Sequence, residues 1–323
     1  MEPEYIILIS VLSTLLVAGI FIIAMLFLIS YICFCKTFYS PIIKSQRKSL
    51  VVKKASFIFE KHKDTMASWK KSIAELEYKD VYITSFDGLK LHGKYYEYKK
   101  DAPIEILFHG YKGSADRDMN GGVLRCFSSG RSALAVDQRA GGFSEGRVIT
   151  FGINESLDCQ KWVEFVINSI NKDAKIILTG VSMGAATVLI ASALDMPKNV
   201  VAVVADCGYT SAKEIIKETI ADMHLSPRFF YPFEIIGGKI FGHFNIDKTS
   251  PIEAMAKAKI PTVFIHGDND AFVHYEMGVR NYETCTAPKK LITIEGAGHA
   301  NSYLVNPEKY KTELDSFLEP YLA

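Results

Sequence analysis

The fold is decided by Lys175-Ile-Ile-Leu-Thr-Gly-Val-Ser-Met-Gly-Ala-Ala-Thr-Val-Leu-Ile-Ala-Ser-Ala-Leu194. Its opening run is short, apolar and β-branched, which is typical of a strand covered on both faces. Its last ten residues are small, apolar and free of Gly and Pro, which favours a helix packed on a sheet. The pentapeptide between them, Gly180 to Gly184, leaves room only for a sharp turn. Ser182 is therefore predicted to project its hydroxyl beside a helix N-terminus, where a nucleophile would be placed.

A second G-x-S-x-G match, Gly142-Phe-Ser-Glu-Gly146, shows that the pentapeptide alone is weak evidence. It follows the strand-like run Ser132–Asp137 only after several polar and glycine residues, and no apolar helix begins behind it. The sequence context therefore predicts Ser182 as the nucleophile and Ser144 as a loop residue.

A serine nucleophile needs a base to take its proton and a carboxylate to orient that base. The run from Ile260 reads as a strand that breaks into a loop carrying Asp268 and Asp270, and the run from Leu291 ends in a glycine-rich loop carrying His299. Loops at the carboxyl ends of parallel strands meet at one edge of a sheet. The order serine, aspartate, histidine is the order expected of a triad on such a sheet.

Two other aspartates compete with Asp270 for the role of acid. Asp206 ends the apolar run from Val200, and its alternative role is that of a hydrogen-bonded loop residue. Asp268 is the other candidate, and its alternative role is that of a turn residue that bonds its own backbone. His109 and His266 each precede a glycine at a strand end, so we expect them to stabilise loops.

The oxyanion of the tetrahedral intermediate needs two backbone N–H donors. One is predicted to be the N–H of Met183, the residue after the nucleophile. The other is predicted to be the N–H of Tyr111, in the loop after the strand Ile104–Phe108, because Gly110 lets the backbone turn inward there.

With these residues in place, the chain from about Asp80 to its end resembles the α/β-hydrolase superfamily. Three motifs carry the resemblance: His109-Gly110, the D-x-R-x-x-G-x-S-x-G loop at 137–146, and the acid loop at 266–273. They are similar to the membrane-associated branch of Bem46-type and related single-pass serine hydrolases. The resemblance implies that Asp270 is the triad acid, because the family pattern is His-Gly-x-x-Asp-x-x-Val. Ala140 stands where the family usually has glycine.

The remaining strand signals agree with a single α/β catalytic domain. We predict an α/β-hydrolase fold whose eight-stranded, mostly parallel sheet has helices on both faces, with a small lid insertion at about 210–259. The predicted strands are Asp80–Ser85, Leu89–Tyr98, Ile104–His109, Ser132–Asp137, Lys175–Gly180, Val200–Asp206, Thr262–His266 and Leu291–Glu295.

The stretch from Tyr5 to Cys35 contains no charged residue and is long enough to cross a bilayer. A cleaved signal peptide would need a basic start and a small-residue cleavage site, and neither is present, so a retained transmembrane helix is predicted. Basic residues follow the span and none precedes it, which places the catalytic domain in the cytoplasm of a single-pass cell-membrane protein. These residues are Lys36, Lys44, Arg47, Lys48, Lys53 and Lys54.

The predicted organisation is an anchor at 1–35, a basic and amphipathic juxtamembrane linker at 36–79 and the hydrolase domain at 80–323. Within the linker, 49–60 alternates apolar and basic residues. It is read either as an amphipathic helix on anionic headgroups, contacting them with 36–60, or as a solvated linker helix.

Taken together, the motifs predict a membrane-anchored serine hydrolase that forms an acyl-enzyme on an ester or thioester of a small, lipid-like acyl substrate. A serine peptidase or amidase with the same triad is the alternative, and a catalytically silent membrane scaffold is a further one. No metal or other cofactor is expected, since no side-chain cluster has metal-ligand spacing and no phosphate loop is present. The net charge of +1 gives no indication of nucleic-acid binding.

Overall fold

The computed structural model describes residues 2–41 and 60–323. The predicted amphipathic segment 49–60 therefore lies outside the described residues except for Glu60. The described chain forms a smaller compact unit, Met1–Tyr39 with Ile216–Asn245, and a larger one, Ser40–Ile215 with Ile246–Ala323.

Eight strands of the described chain form one sheet in the larger unit, in the order β1-β2-β4-β3-β5-β6-β7-β8. The pairs β1–β2 and β2–β4 are antiparallel, and every other neighbouring pair is parallel. The predicted mostly parallel sheet is confirmed. The strands are β1 (Lys79–Thr84), β2 (Lys90–Tyr96), β3 (Ile104–Phe108), β4 (Ser132–Val136), β5 (Ile176–Val181), β6 (Val200–Asp206), β7 (Thr262–Gly267) and β8 (Lys289–Ile294).

The helices alternate with the parallel strands, and the helix Ile153–Phe165 is continued by a π-helical turn at Val166–Ile170. In chain order they are α1 (Pro3–Thr37), α2 (Lys63–Ala74), α3 (Ala115–Asp118), α4 (Asn120–Ser128), α5 (Ile153–Phe165), α6 (Met183–Ala191), α7 (Ala212–Asp222), α8 (Pro227–Phe241), α9 (Pro251–Met255), α10 (Tyr275–Thr284), α11 (Ser302–Val305) and α12 (Pro307–Leu322).

The core lies on both faces of the sheet because successive strand residues point in opposite directions. Ile106 of β3 belongs to a buried cluster with Trp162 of α5. Its neighbour Leu107 packs on the opposite face with Val123 of α4. β5 alternates in the same way and places Ile177 against Leu314 of α12 through a shared buried cluster. The prediction of helices on both faces is confirmed.

The smaller unit contains α1 and α8, which pack against each other. Glu4–Thr37 has a mean hydropathy of 2.9 over its most apolar window, so by length and composition it can cross a membrane. The unit also contains Ile216–Asn245, which is the middle part of the predicted lid insertion and includes α8.

Candidate active site

The turn after β5 holds Ser182 in an unusual backbone conformation. Its φ of 56° and ψ of −115° lie outside the regions that serine ordinarily occupies. A Cβ atom on Gly180 would overlap the backbone of Gly184, and one on Gly184 would overlap the carbonyl oxygen of Phe108. Only glycine fits these two positions, so the strand, the turn and α6 can approach closely enough to present the serine at the end of the sheet.

Three side chains from three different loops meet at this end of the sheet. His299, after β8, places Nε2 2.9 Å from Oγ of Ser182 and Nδ1 2.9 Å from Oδ2 of Asp270, after β7. An ionised carboxylate only accepts hydrogen bonds, so Nδ1 of His299 carries the proton and Nε2 is left to accept from the serine hydroxyl. The arrangement is that of a serine nucleophile, a base and an orienting acid.

The carboxylate of Asp270 is held in place from both of its oxygens. Oδ1 accepts from the backbone N–H groups of Phe272 and Val273, at 2.9 and 3.0 Å. Oδ2 faces His299 and also lies 3.4 Å from Nε2 of His266. Burial alone would raise the pKa of Asp270, but hydrogen bonds from His266 and His299 hold it well below its usual range. Asp270 therefore stays ionised beside the base.

The competing aspartates have other partners. The carboxylate of Asp206 accepts from Ser302 Oγ at 3.2 Å and from Tyr310, and burial raises the pKa of Asp206 to about 6. Asp268 accepts from the backbone N–H of Gly296 at 2.7 Å, which ties two loops together and differs from the expected bond to its own backbone.

Ser144, the second G-x-S-x-G serine, has a hydroxyl engaged with backbone groups. It donates to the carbonyl of Asp137 at 2.5 Å and accepts from the N–H of His92 at 2.8 Å. In the same loop, Ala140 has a φ of 58°, a left-handed conformation that glycine adopts without strain. This conformation accounts for the glycine that α/β-hydrolases usually have at the position of Ala140.

The loop after β3 lies against the serine. A Cβ atom on Gly110 would be 3.5 Å from Cβ of Ser182, so this backbone passes directly beside the nucleophile. His109 stabilises the loop through both ring nitrogens: its Nδ1 donates to the carbonyl of Gly110 at 2.7 Å, and its Nε2 accepts from the N–H of Gln138 at 3.0 Å. The predicted role of His109 in loop support agrees with these bonds. The adjacent Tyr111 packs its ring 5.4 Å from that of Phe151.

No sequence pattern indicates a partner for His92, and the structure shows two. Its ring lies between Asp80 and Asp137, each carboxylate being 2.8 Å from a ring nitrogen. Although burial opposes its charge, hydrogen bonds with both carboxylates raise the pKa of His92 above its ordinary value. Asp137 also accepts from the N–H of Ala115, so the histidine stabilises loops next to the site. The pairing joins residues far apart in sequence, and no local pattern indicates it.

Cys207, which follows β6, is a second residue near the site that no sequence pattern indicates. Its sulfur lies within 4.8 Å of ligand atoms of Asp270 and His299, the kind of grouping that can hold a metal ion. Burial, with the nearby acids, raises the pKa of Cys207 well above its usual value, which keeps it a thiol. Metals bind the thiolate, and the other two groups already bond each other, so the donor set fits a metal poorly. That no metal is bound stays a prediction.

Comparison with known proteins agrees with this geometry. Residues 106–233 match the family model described as alpha/beta hydrolase fold. The chain is 28% identical over 191 residues to YqkD of Bacillus subtilis, an uncharacterized protein, a match that covers 59% of this chain and 63% of that relative's length. It is 25% identical over 232 residues to Rv2307c of Mycobacterium tuberculosis, also uncharacterized, covering 71% and 74% of the two chains.

Among solved structures, the esterase Pf2001 of Pyrococcus furiosus superposes with a TM-score of 0.63 at 27% identity, covering 78% of this chain and 96% of that one. An esterase from Exiguobacterium antarcticum shares the fold at 16% identity and a TM-score of 0.57, covering 75% and 100%. Sheet order, the match to the family model over 106–233 and the likeness to the Pyrococcus esterase together show that the chain has an α/β-hydrolase fold, like that of these esterases. The narrower resemblance to the Bem46-type branch stays a prediction.

Proposed function

We propose that the protein is a membrane-anchored serine hydrolase that cleaves esters or thioesters of lipid-like acyl groups through an acyl-enzyme. The observation that carries the proposal is the continuous hydrogen-bond chain from Ser182 through His299 to Asp270, built on a strained elbow. A polar chain of this kind at the end of a sheet has the geometry that nucleophilic catalysis requires.

In the proposed mechanism, Oγ of Ser182 attacks the substrate carbonyl carbon while Nε2 of His299 takes the hydroxyl proton. The carbonyl oxygen becomes an oxyanion, to which the N–H groups of Met183 and Tyr111 donate. His299 then returns the proton to the departing alcohol or thiol, and the acyl group remains on Ser182. In the second half, His299 takes a proton from water, the water oxygen attacks the acyl carbon, and His299 returns the proton to Oγ of Ser182 as the acid product leaves. Throughout, ionised Asp270 orients the imidazole and stabilises its cation.

The membrane part of the proposal is supported by α1. Its apolar length exceeds the span of a bilayer core, and Lys36 and the basic residues after it favour a cytoplasmic position for the catalytic domain. A lipid-like acyl substrate suits an enzyme held at a membrane. The esterase activity stated for the 27% identical Pyrococcus protein supports an ester over an amide.

The proposal is tested by labelling the purified full-length protein with a fluorophosphonate probe. Wild type and Ser144→Ala are expected to label, and Ser182→Ala is expected not to. Unlabelled wild type would refute the hydrolase assignment, and labelled Ser182→Ala would refute the choice of serine. A series of acyl esters and thioesters of rising chain length, run beside peptide amides, then tests the substrate class. Faster cleavage of the amides would replace the esterase proposal by the peptidase alternative.

A further inference from the structure

The helix α8 packs on the C-terminal third of α1 with almost no space between the two backbones. A Cβ atom on Gly237 would come within 2.6 Å of the carbonyl oxygen of Ser30 and 3.1 Å of Cβ of Phe34. Small residues at such a crossing are typical of helix pairs in membranes, where close backbone approach replaces the hydrophobic effect as the source of affinity.

Aromatic and polar contacts fix the direction of α8 along α1. The ring of Phe241 lies 5.1 Å from those of Phe27 and Tyr31, and Oγ1 of Thr37 donates to Oε1 of Glu234 at 2.9 Å. Residues later in α8 contact residues earlier in α1, so the two helices are antiparallel. The end of α8 at Phe241 is therefore level with about Tyr31, roughly 9 Å back along α1 from Thr37.

The position of this contact relative to a bilayer follows from α1 itself. From Tyr5 to Leu28 the helix exposes apolar side chains on every face. At about 1.5 Å per residue this stretch is roughly 36 Å long, enough for a hydrocarbon core of about 30 Å. The residues of α1 covered by α8, mostly between Phe27 and Thr37, are then at the boundary between hydrocarbon and headgroups.

The surface of α8 that faces away from α1 carries both apolar and basic side chains, which suit that boundary. Ile236 and Ile240 are 40% and 41% exposed, and their spacing of four residues puts them on one face, which we call the α8 stripe. Lys239 is exposed close to this stripe, whereas the exposed Arg228 lies near the start of α8, roughly 20 Å from Phe241 along the helix and outside the boundary. Beside Phe241, an open groove of about 620 Å³ along α1 is lined by apolar and aromatic side chains.

We propose that the C-terminal half of α8 is a second membrane contact: the α8 stripe lies among lipid acyl chains at the bilayer boundary, with Lys239 directed to anionic headgroups. The proposal rests on the proposed function only in requiring that α1 spans the membrane. An apolar face next to a spanning helix and bordered by a lysine suits that boundary, where the lysine can reach the headgroups. The connection between β6 and β7 is therefore held at the membrane by its own side chains as well as by α1.

The test uses the full-length protein in vesicles of phosphatidylcholine and phosphatidylglycerol, with an environment-sensitive NBD fluorophore on single introduced cysteines. Ile236→Cys and Ile240→Cys report on the α8 stripe, and Arg228→Cys is the control at the start of the same helix. Leu16→Cys in α1 reports on the anchor. Labelled wild type gives the background from the native cysteines, of which all but Cys35 are buried.

The expected result is a blue-shifted NBD emission at Ile236→Cys, Ile240→Cys and Leu16→Cys that is quenched by doxyl groups on lipid chains, with Arg228→Cys quenched by aqueous iodide instead. Quenching at Leu16→Cys with iodide access at both stripe positions would overturn the inference and leave the anchor intact. Stripe positions shielded from both quenchers would overturn it in favour of a second protein copy. An unquenched Leu16→Cys would refute the anchor, and with it this inference.

Discussion

At the scale of single residues, the assignment of the acid depends on hydrogen bonds that distinguish Asp270 from Asp206. We expect Asp270→Asn to lower kcat by about 10⁴-fold, because an amide no longer holds the correct tautomer of His299. Asp206→Asn is expected to stay within about tenfold of wild type, since its carboxyl bonds Ser302 and Tyr310 instead of the base. Hydrolysis of a chromogenic acyl ester by both variants checks this. Equal losses in the two would contradict the assignment.

Asp206 also makes stability depend on pH. Burial raises its pKa to about 6 in the folded protein, above the ordinary value of about 3.9. The folded state therefore binds the proton more tightly, and the stability contribution present below about pH 4 is lost as the pH rises to about 6. Two pH units correspond to about 3 kcal/mol at most.

Asp206→Asn, which mimics the neutral carboxyl, is expected to remove the part of this slope that Asp206 contributes, while Asp158, whose pKa burial also raises to about 6, keeps its own part. Thermal unfolding of wild type and variant in detergent, at about pH 4.5 and about pH 7.5, measures how much stability each protein loses between the two conditions. A variant that loses as much stability as wild type between the two conditions would show that another group is responsible.

Single residues also show how far the sequence can be interpreted. Ser182, Asp270 and His299 each follow a recognisable strand, so the rule that carboxyl ends share an edge predicted that these loops meet. The choice of Asp270 over Asp268 came from the family resemblance. Neither His92 between its two aspartates nor Cys207 beside the triad could be predicted, because each contact joins segments without a shared pattern.

At the scale of elements, the eight strands were predicted to within about two residues at most ends because alternation and β-branched runs are local signals. The position of α8 was not predicted. It falls within the predicted lid insertion at about 210–259, but the structure packs Phe241 on α1 and leaves the α8 stripe exposed. Helix pairing across nearly two hundred residues is decided by fit, which periodicity alone does not reveal.

The α1–α8 contact can be broken at one glycine. Gly237→Leu is expected to separate the helices, because its side chain would enter the backbone of α1 at Ser30. Gly19→Leu is the matched control, since a Cβ atom there meets nothing within 4 Å. The rate of tryptic cleavage after Arg228 and Lys239 is expected to rise in Gly237→Leu only. Equal cleavage rates in the two variants would show that the contact does not hold α8.

At the scale of the whole molecule, a spanning α1 has a consequence for fractionation and for orientation. Full-length protein is expected to remain in the membrane pellet after alkaline carbonate extraction. Protease added to the outside of intact cells is expected to remove a tag at the N-terminus and to spare the hydrolase unit, as the positive-inside rule requires. Release by carbonate would contradict the anchor, and external digestion of the hydrolase unit would reverse the orientation.

The hydrogen bond between Thr37 and Glu234 joins residues 197 positions apart. During synthesis at about 5–20 residues per second, α1 leaves the ribosome roughly 10–40 s before its partner helix exists. For that interval the glycine-fitting surface around Ser30 and Phe34 is uncovered, open to other helices in the same bilayer. Docking of α8 is therefore a late step in the biogenesis of the chain, and the correct pairing has to compete with whatever α1 meets first.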